Sequence, residues 1–165
     1  MGSKVFIIAL LAAALLLSGC TQAGEPVKEL KAAGPQAGYD IHVDAKHWLK
    51  DTRETVHHWC KPTKEKLIEC LLFDSDEANA NLVGSEVIVE NSVWETFSGE
   101  EKARWHDHRT EIVEAEATLP GMPEAEAKKL VEALMQTHGR VIYFWNFPKD
   151  AYPVGLPFMD SDHQG

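Results

Sequence analysis

Three devices that announce common enzymes are missing. There is no GxSxG, no GxxxxGK[ST] and no GxGxxG, so neither a nucleophile elbow nor a nucleotide cradle has support. Positive charge is short as well, with 16 Lys and Arg against 26 Asp and Glu for a net charge of −10. Phosphate binding draws on clustered bases, so no strong nucleic-acid affinity follows. No internal repeat or heptad appears. Cysteine numbers only three: Cys20, Cys60 and Cys70. What is present is ordinary for a folded domain: 165 residues, 44% hydrophobic and 25% charged, which excludes a disordered chain and leaves room for one domain.

One apolar run is long. Val5 to Leu17 is an unbroken stretch behind a single base, Lys4, and it is too short to span a bilayer stably. Leu17-Ser18-Gly19-Cys20 follows and resembles a bacterial lipobox, in which lipid is attached to the cysteine sulfur and the chain is cut before it. Residues 1–19 therefore read as a lipoprotein signal peptide and Cys20 as the lipidated N-terminus. Acyl chains bring about 0.8 kcal/mol per buried CH₂, enough in combination to hold a water-soluble body on a membrane. Thr21, rather than Asp, implies sorting to the outer membrane. Residues 20–39 mix Gly, Ala, Pro, Gln and charge and read as a flexible tether; a domain over 40–160 and a tail over 161–165 complete the chain.

The domain's pattern predicts α+β architecture: an antiparallel sheet of about four to five strands with two or three helices. Residues 55–60 and 67–73 read as neighbouring strands and 82–90 as a third. Ser98 and Glu101 form a capping box for a short helix over 99–105. Pro123 opens the clearest helix, with Ala127, Leu130, Val131, Leu134 and Met135 on one face and Gly139 as its C′ residue. Residues 140–147 are a strand by composition. Residues 40–51 fit either a strand and turn or a short helix, and 109–118 either a strand or a helical extension. The Pro-rich end is expected to lie extended along a sheet edge.

Eight histidines invite a metal hypothesis. His106 and His108 are two apart, which on an extended segment aims both rings to one side. His57 and His58 are adjacent, so only one faces inward, and His58 shares its face with Cys60. Glu86 lies on a strand face that makes it a buried acid in need of a partner. Ligands drawn from His57, His58, Glu86, His106 and His108 suit Zn²⁺ or another borderline divalent ion, with Asp107, Glu111 or Glu114 around them. The plainer alternative is a hydrogen-bonded HxH pair and packed strand histidines; acid–base catalysis without a metal is a third. Cys60 and Cys70 are a disulfide candidate, since adjacent strands of a hairpin bring them together in an exported protein, with buried thiols or soft ligands as alternatives. The five tryptophans read as packing residues or as a stacking platform for a ligand.

The succession His57-His58-Trp59-Cys60, Glu69-Cys70-Leu71-Leu72-Phe73-Asp74-Ser75, Leu82-Val83-Gly84-Ser85-Glu86, Trp105-His106-Asp107-His108, His138-Gly139, Trp145 and Leu156-Pro157 resembles the DUF1264 family. That family includes the plant oil-body-associated proteins, and the similarity covers residues 40–160. The resemblance implies a theme of residence at a lipid surface and no defined reaction. It also implies similar cysteine spacing in intracellular plant members, whose compartments disfavour disulfides. Location and the missing catalytic signatures together predict a membrane-anchored binding or structural module of the cell envelope. A metal-dependent enzyme using the His/Glu set is the alternative. A protein or small-molecule partner is not specified.

Overall fold

The computed structural model describes residues 35, 37–63 and 66–160. The expected signal peptide, Cys20, most of the expected tether and the tail over 161–165 lie outside the described residues.

Among the described residues, seven antiparallel strands make one sheet. In chain order they are β1 (Ile41–Leu49), β2 (Thr52–Pro62), β3 (Leu67–Phe73), β4 (Leu82–Glu90), β5 (His106–Asp107), β6 (Thr137–Tyr143) and β7 (Phe158–Met159). Across the sheet the order is β1-β2-β3-β4-β6-β5, with β7 pairing β6 beside β5. Four helices among the described residues are interspersed: α1 (Asn91–Trp94), α2 (Gly99–Lys102), α3 (His108–Glu114) and α4 (Glu124–Leu134). The α+β class holds, but the sheet has more strands than the pattern predicts. β5 and β7 are two residues each, too short for any periodicity to register. The ambiguous segment over 40–51 is a strand, turning into β2 at Lys50, whose φ is +61°.

The sheet cannot be flat. α3 follows β5 at one edge, and immediately beyond it Ala115 and Thr118 hydrogen-bond to β1 at the opposite edge, through Lys46 N to Ala115 O at 2.8 Å and Asp44 N to Thr118 O at 2.9 Å. Six strands laid flat would separate those edges by roughly 24 Å at 4.8 Å per strand. The seven-residue α3 spans only about 10 Å. The sheet therefore curls until α3 bridges its mouth, and side chains on the concave face meet those carried by β5 and α3.

Alternation decides which side chains those are. Register rows on the concave face run Ile41–Cys60–Cys70–Glu86–Val141, then Ile68–Ile88–Gly139–His106. Leu49, Val56, Leu72, Val83, Val141 and Tyr143 fill the core with Cys60, Cys70 and Ile88, and Leu134 of α4 packs onto it. Removing one such leucine costs about 2–5 kcal/mol. Cys60 and Cys70, directly opposite across β2 and β3, are joined as a disulfide.

The local signals fare unevenly. Ser98 caps α2, its Oγ accepting from Glu101 N at 3.2 Å. Asp107 caps α3 in the same way through Arg109 N at 2.9 Å, so 109–118 begins helical and ends as a bridge to β1. Gly139 is not a helix terminator: α4 ends at Leu134 with Met135 as its C-cap, and Thr137, His138 and Gly139 already belong to β6. The strand placed over 140–147 accordingly begins three residues earlier and ends at Tyr143. The chain end does meet the sheet, as β7, with Ile142 opposite Met159.

Candidate functional site

Glu86, His106 and His108 converge at the mouth of the curl. Glu86 projects from the middle of β4 and is buried. β5 sets His106 directly opposite Gly139, and His108 is the first residue of α3. Their donor atoms form a compact set: Glu86 Oε1 lies 3.2 Å from His106 Nε2 and 3.1 Å from His108 Nε2, and the two Nε2 atoms are 3.1 Å apart. Glu111, one turn along α3, adds Oε2 at 2.5 Å from His106 and 4.0 Å from His108. Donors bonded to one tetrahedral ion at 2.0–2.1 Å stand roughly 3.3 Å apart. These edges scatter about that value.

Gly139 explains how they come so close. A Cβ at this position would fall 2.2 Å from both Glu86 Oε1 and His106 Nε2 and 2.6 Å from His108 Nε2. The donors thus gather over a bare Cα, around space that any other residue would fill.

Outer contacts fix the rings. Thr137 donates its hydroxyl to Leu134 O at 2.6 Å, so its oxygen is left to accept from His108 Nδ1 at 2.7 Å. His108 in neutral form then turns a lone pair at Nε2 toward Glu86 and His106, the orientation a ligating histidine needs. His58 is held likewise, donating Nδ1–H to Val56 O at 3.0 Å and Val43 O at 3.2 Å, with Nε2 3.8 Å from Glu86 Oε2.

The electrostatics are those of buried acids seeking a cation. Burial disfavours the imidazolium of His106, but the Glu111 and Glu86 carboxylates outweigh it and push its pKa up to about 10. Burial likewise opposes ionisation of Glu86, yet contacts to His106 and His108 hold it well below the usual carboxylate range. His58, buried and beside His47, is pushed down to about 4 and is neutral. In the metal-free protein a proton on His106 occupies the role a metal would fill.

Two spaces meet here. A cavity of about 60 Å³ runs behind the cluster, apolar along Ile41, Ile68, Ile88 and Leu134. On the other side a polar pocket lined by Lys46, Arg53 and Thr110 reaches His106 and Glu111. It also contains His47 and Asp160, whose Nδ1 and Oδ2 are 3.3 Å apart. Burial works against a charge on His47, but Asp160 and Glu111 raise its pKa nonetheless.

Of the residues marked by sequence, Glu86, His106 and His108 come together, and His58 stands behind Glu86. His57 does not join them. It projects from the convex face, next to Asp44 at 2.7 Å. Glu111, expected only around the set, touches His106 at 2.5 Å, whereas Asp107 caps α3 and Glu114 lines the polar pocket. His47 and Asp160 went unmarked. The alternation of Ala45, His47 and Leu49 points His47 inward, but nothing local ties Asp160 to it.

Residues 33–164 match the family model described as "Protein of unknown function (DUF1264)". The chain is 34% identical over 120 residues to oil body-associated protein 1B of Arabidopsis thaliana, covering 70% of this chain and 50% of that protein. It is 35% identical over 132 residues to oil body-associated protein 1A of Zea mays, covering 78% and 56%. The chain thus spans about half the length of these curated relatives. No solved structure matches. Among the described residues, no helix is long and apolar enough to cross a membrane.

Proposed function

The chain belongs to the DUF1264 family, and from that footing we propose that its domain is a divalent-metal-binding module, zinc-like in preference, held at a membrane surface by lipid on Cys20. The observation carrying the metal reading is the gathering of Glu86, His106 and His108 donors over the side-chain-free Gly139. Two imidazoles and the Glu86 and Glu111 carboxylates make a donor set that a dication neutralises and that suits Zn²⁺. The anchor rests on the Val5–Leu17 run and the Leu-Ser-Gly-Cys ending. The names of the plant relatives, associated with oil bodies, fit a lipid-surface setting.

Elemental analysis of the purified full chain tests the metal. The expected result is stoichiometric zinc-type metal, with His106→Ala/His108→Ala holding one equivalent less. A wild-type protein that takes up no stoichiometric metal, and melts at the same temperature with and without Zn²⁺, would overturn it. For the anchor, mass spectrometry of the protein from its host should find an N-terminus at Cys20 carrying acyl mass; an N-terminus at Met1 with an unmodified Cys20 overturns that part.

A second reading, a metal-dependent enzyme on the same ligands, is favoured by the polar pocket that reaches His106 and Glu111. An ion held by Glu86, His106 and His108 alone would leave a fourth position open toward that pocket, which is how catalytic zinc is commonly held. Detection of a metal-bound water exchanging with solvent supports this reading, and a four-ligand closed site removes it.

A further inference from the structure

On the opposite face of the same sheet lies a set of donors that the reading above does not use. We infer that His42, Asp44, His57 and Asp76 form a second, exchangeable binding site for a divalent cation of the zinc type.

The site follows from register. Asp44 and His57 are directly opposite across β1 and β2, and His42, two residues before Asp44, shares their face. Trp59, opposite His42, stacks on its imidazole with centroids 4.5 Å apart and planes within 5°, which fixes the ring. The fourth member, Asp76, arrives from the connection between β3 and β4. Asp74 folds that connection back, accepting from Asn81 N at 2.9 Å and Asn81 Nδ2 at 2.7 Å.

The four donors close a ring in which acid and imidazole alternate. His42 Nε2 is 2.9 Å from both Asp44 Oδ1 and Asp76 Oδ1, and His57 Nδ1 is 2.7 Å from Asp44 Oδ1 and 3.0 Å from Asp76 Oδ1. All four lie within 4.8 Å of one another. Tetrahedral coordination at 2.0–2.1 Å needs edges of roughly 3.3 Å, so the ring has only to open by a few tenths of an ångström. His42 Nε2 is buried and makes no hydrogen bond even with two carboxylate oxygens at 2.9 Å, so neither oxygen lies along its in-plane axis. His57 Nδ1 and Asp44 Oδ1 do hydrogen-bond, at 2.7 Å, so it is His42 whose buried nitrogen lacks a partner, one that an ion at the centre of the ring would supply. Two neutral imidazoles and two carboxylates carry −2, which a dication neutralises.

This site differs from the concave one in access. Asp76 is 45% exposed and belongs to a connection, whereas Glu86 is buried within the curl. The convex ion therefore exchanges faster, and in binding it staples the β3–β4 connection across β1 and β2.

The experiment is a Zn²⁺ titration of the metal-stripped full chain against a chromophoric chelator, with limited proteolysis of residues 74–81 in parallel. Wild type is expected to bind two equivalents, with the second lost in His57→Ala/Asp76→Asn. His106→Ala/His108→Ala should keep the convex equivalent and its zinc-dependent protection of the 74–81 connection. Asp76→Asn alone, at an exposed position outside the core, should weaken that equivalent roughly tenfold or more. If the His57/Asp76 variant or Asp76→Asn binds zinc as wild type does, or if zinc gives no protection in the His106/His108 variant, the inference is overturned. Failure of the concave site alone reads differently: one wild-type equivalent that survives His106→Ala/His108→Ala and disappears with His57→Ala/Asp76→Asn.

Discussion

Adding one methyl group to the molecule tests the concave centre most directly. Gly139 lies in β6 with no left-handed φ, so Gly139→Ala strains nothing in the backbone. In a strand without crowding, the change would stabilise by about 0.5–1 kcal/mol through the entropy of the unfolded chain. Here the new Cβ would meet Glu86 Oε1 and His106 Nε2 at 2.2 Å and His108 Nε2 at 2.6 Å. Comfortable contact is roughly 3.5 Å, so two donors must retreat by about 1.3 Å and the third by about 0.9 Å. Metal–ligand distances tolerate about ±0.2 Å. No adjustment of that size preserves a common centre, and zinc affinity at this site should fall by at least a hundredfold. The metal-free protein should be destabilised by about 1–3 kcal/mol, the ordinary cost of overpacking. Far-UV circular dichroism shows whether the sheet survives. Chelator competition counts the lost equivalent, and thermal melts with and without zinc register the loss of ligand-induced stabilisation, which at a hundred times Kd is about 2.7 kcal/mol. A Gly139→Ala protein that binds as much zinc as wild type, as tightly, would refute the reasoning, as would a variant more stable than wild type.

The remaining expectations concern charge, protons and the disulfide. Glu86→Gln keeps the shape of a buried side chain and removes its charge, so zinc binding should weaken roughly 10- to 100-fold, and NMR titration of the metal-free variant should find His106 losing its proton at lower pH than in wild type. Because metal-free His106 keeps its proton up to about 10, zinc must displace it, and affinity should climb nearly tenfold per pH unit from pH 7 to 9; a flat profile contradicts the assignment of ligands. Without metal, the folded pKa of His106 lies above its unfolded value of about 6.5, so its contribution to stability is complete below that pH and is lost as pH rises toward 10. Melting temperature of the metal-free protein should accordingly fall over that range, while zinc removes the trend. Cys60 and Cys70 close a loop with a sequence separation of 10, worth about 3 kcal/mol on the chain-entropy model; denaturant unfolding with and without reductant measures it, and identical midpoints would show that the bond is absent in solution.

How much of this was written in the sequence depends on whether the information was local. Strands β3 and β4 announced themselves through Leu67–Phe73 and through the valines and isoleucine of 82–90, and the Ser98 cap was read correctly from four residues. β1 stayed ambiguous because the alternation of Ile41, Val43 and Ala45 with His42, Asp44 and Lys46 breaks at its end, where polar His47 faces inward and apolar Trp48 faces outward. Gly139 misled for a physical reason. A glycine after an amphipathic helix reads as a terminator, whereas here its missing side chain makes room for three donors brought from β4, β5 and α3. The HxH pair was legible as chemistry but not as geometry: the rings converge because an element boundary falls between them, with His106 on a strand and His108 on a helix. Adjacent His57 and His58 had to face opposite ways. Which one faced inward depended on the curl of the whole sheet, and that depended on α3 reaching from one edge to the other.

That curl gives the disulfide a role beyond its contribution to stability. Side chains alternate with a period of two, so sliding β2 by one residue against its neighbours would exchange its faces and send His58 outward and His57 inward. The convex donor set would be lost, because Asp44 would lose His57, and on the concave side Glu86 would lose the neutral imidazole behind it. Cys60 and Cys70 are directly opposite in register, and Cys70 is in turn opposite Glu86. A covalent bond between β2 and β3 in the row that carries Glu86 forbids the slip where it would do most damage. Hydrophobic burial of Val56 and Leu72 favours the same register, but a histidine-rich strand gives it less to work with, since His57 and His58 differ little in their preference for burial. The bond therefore pins the register of the strand that supplies His57 to the convex site and the neutral imidazole behind Glu86 to the concave one.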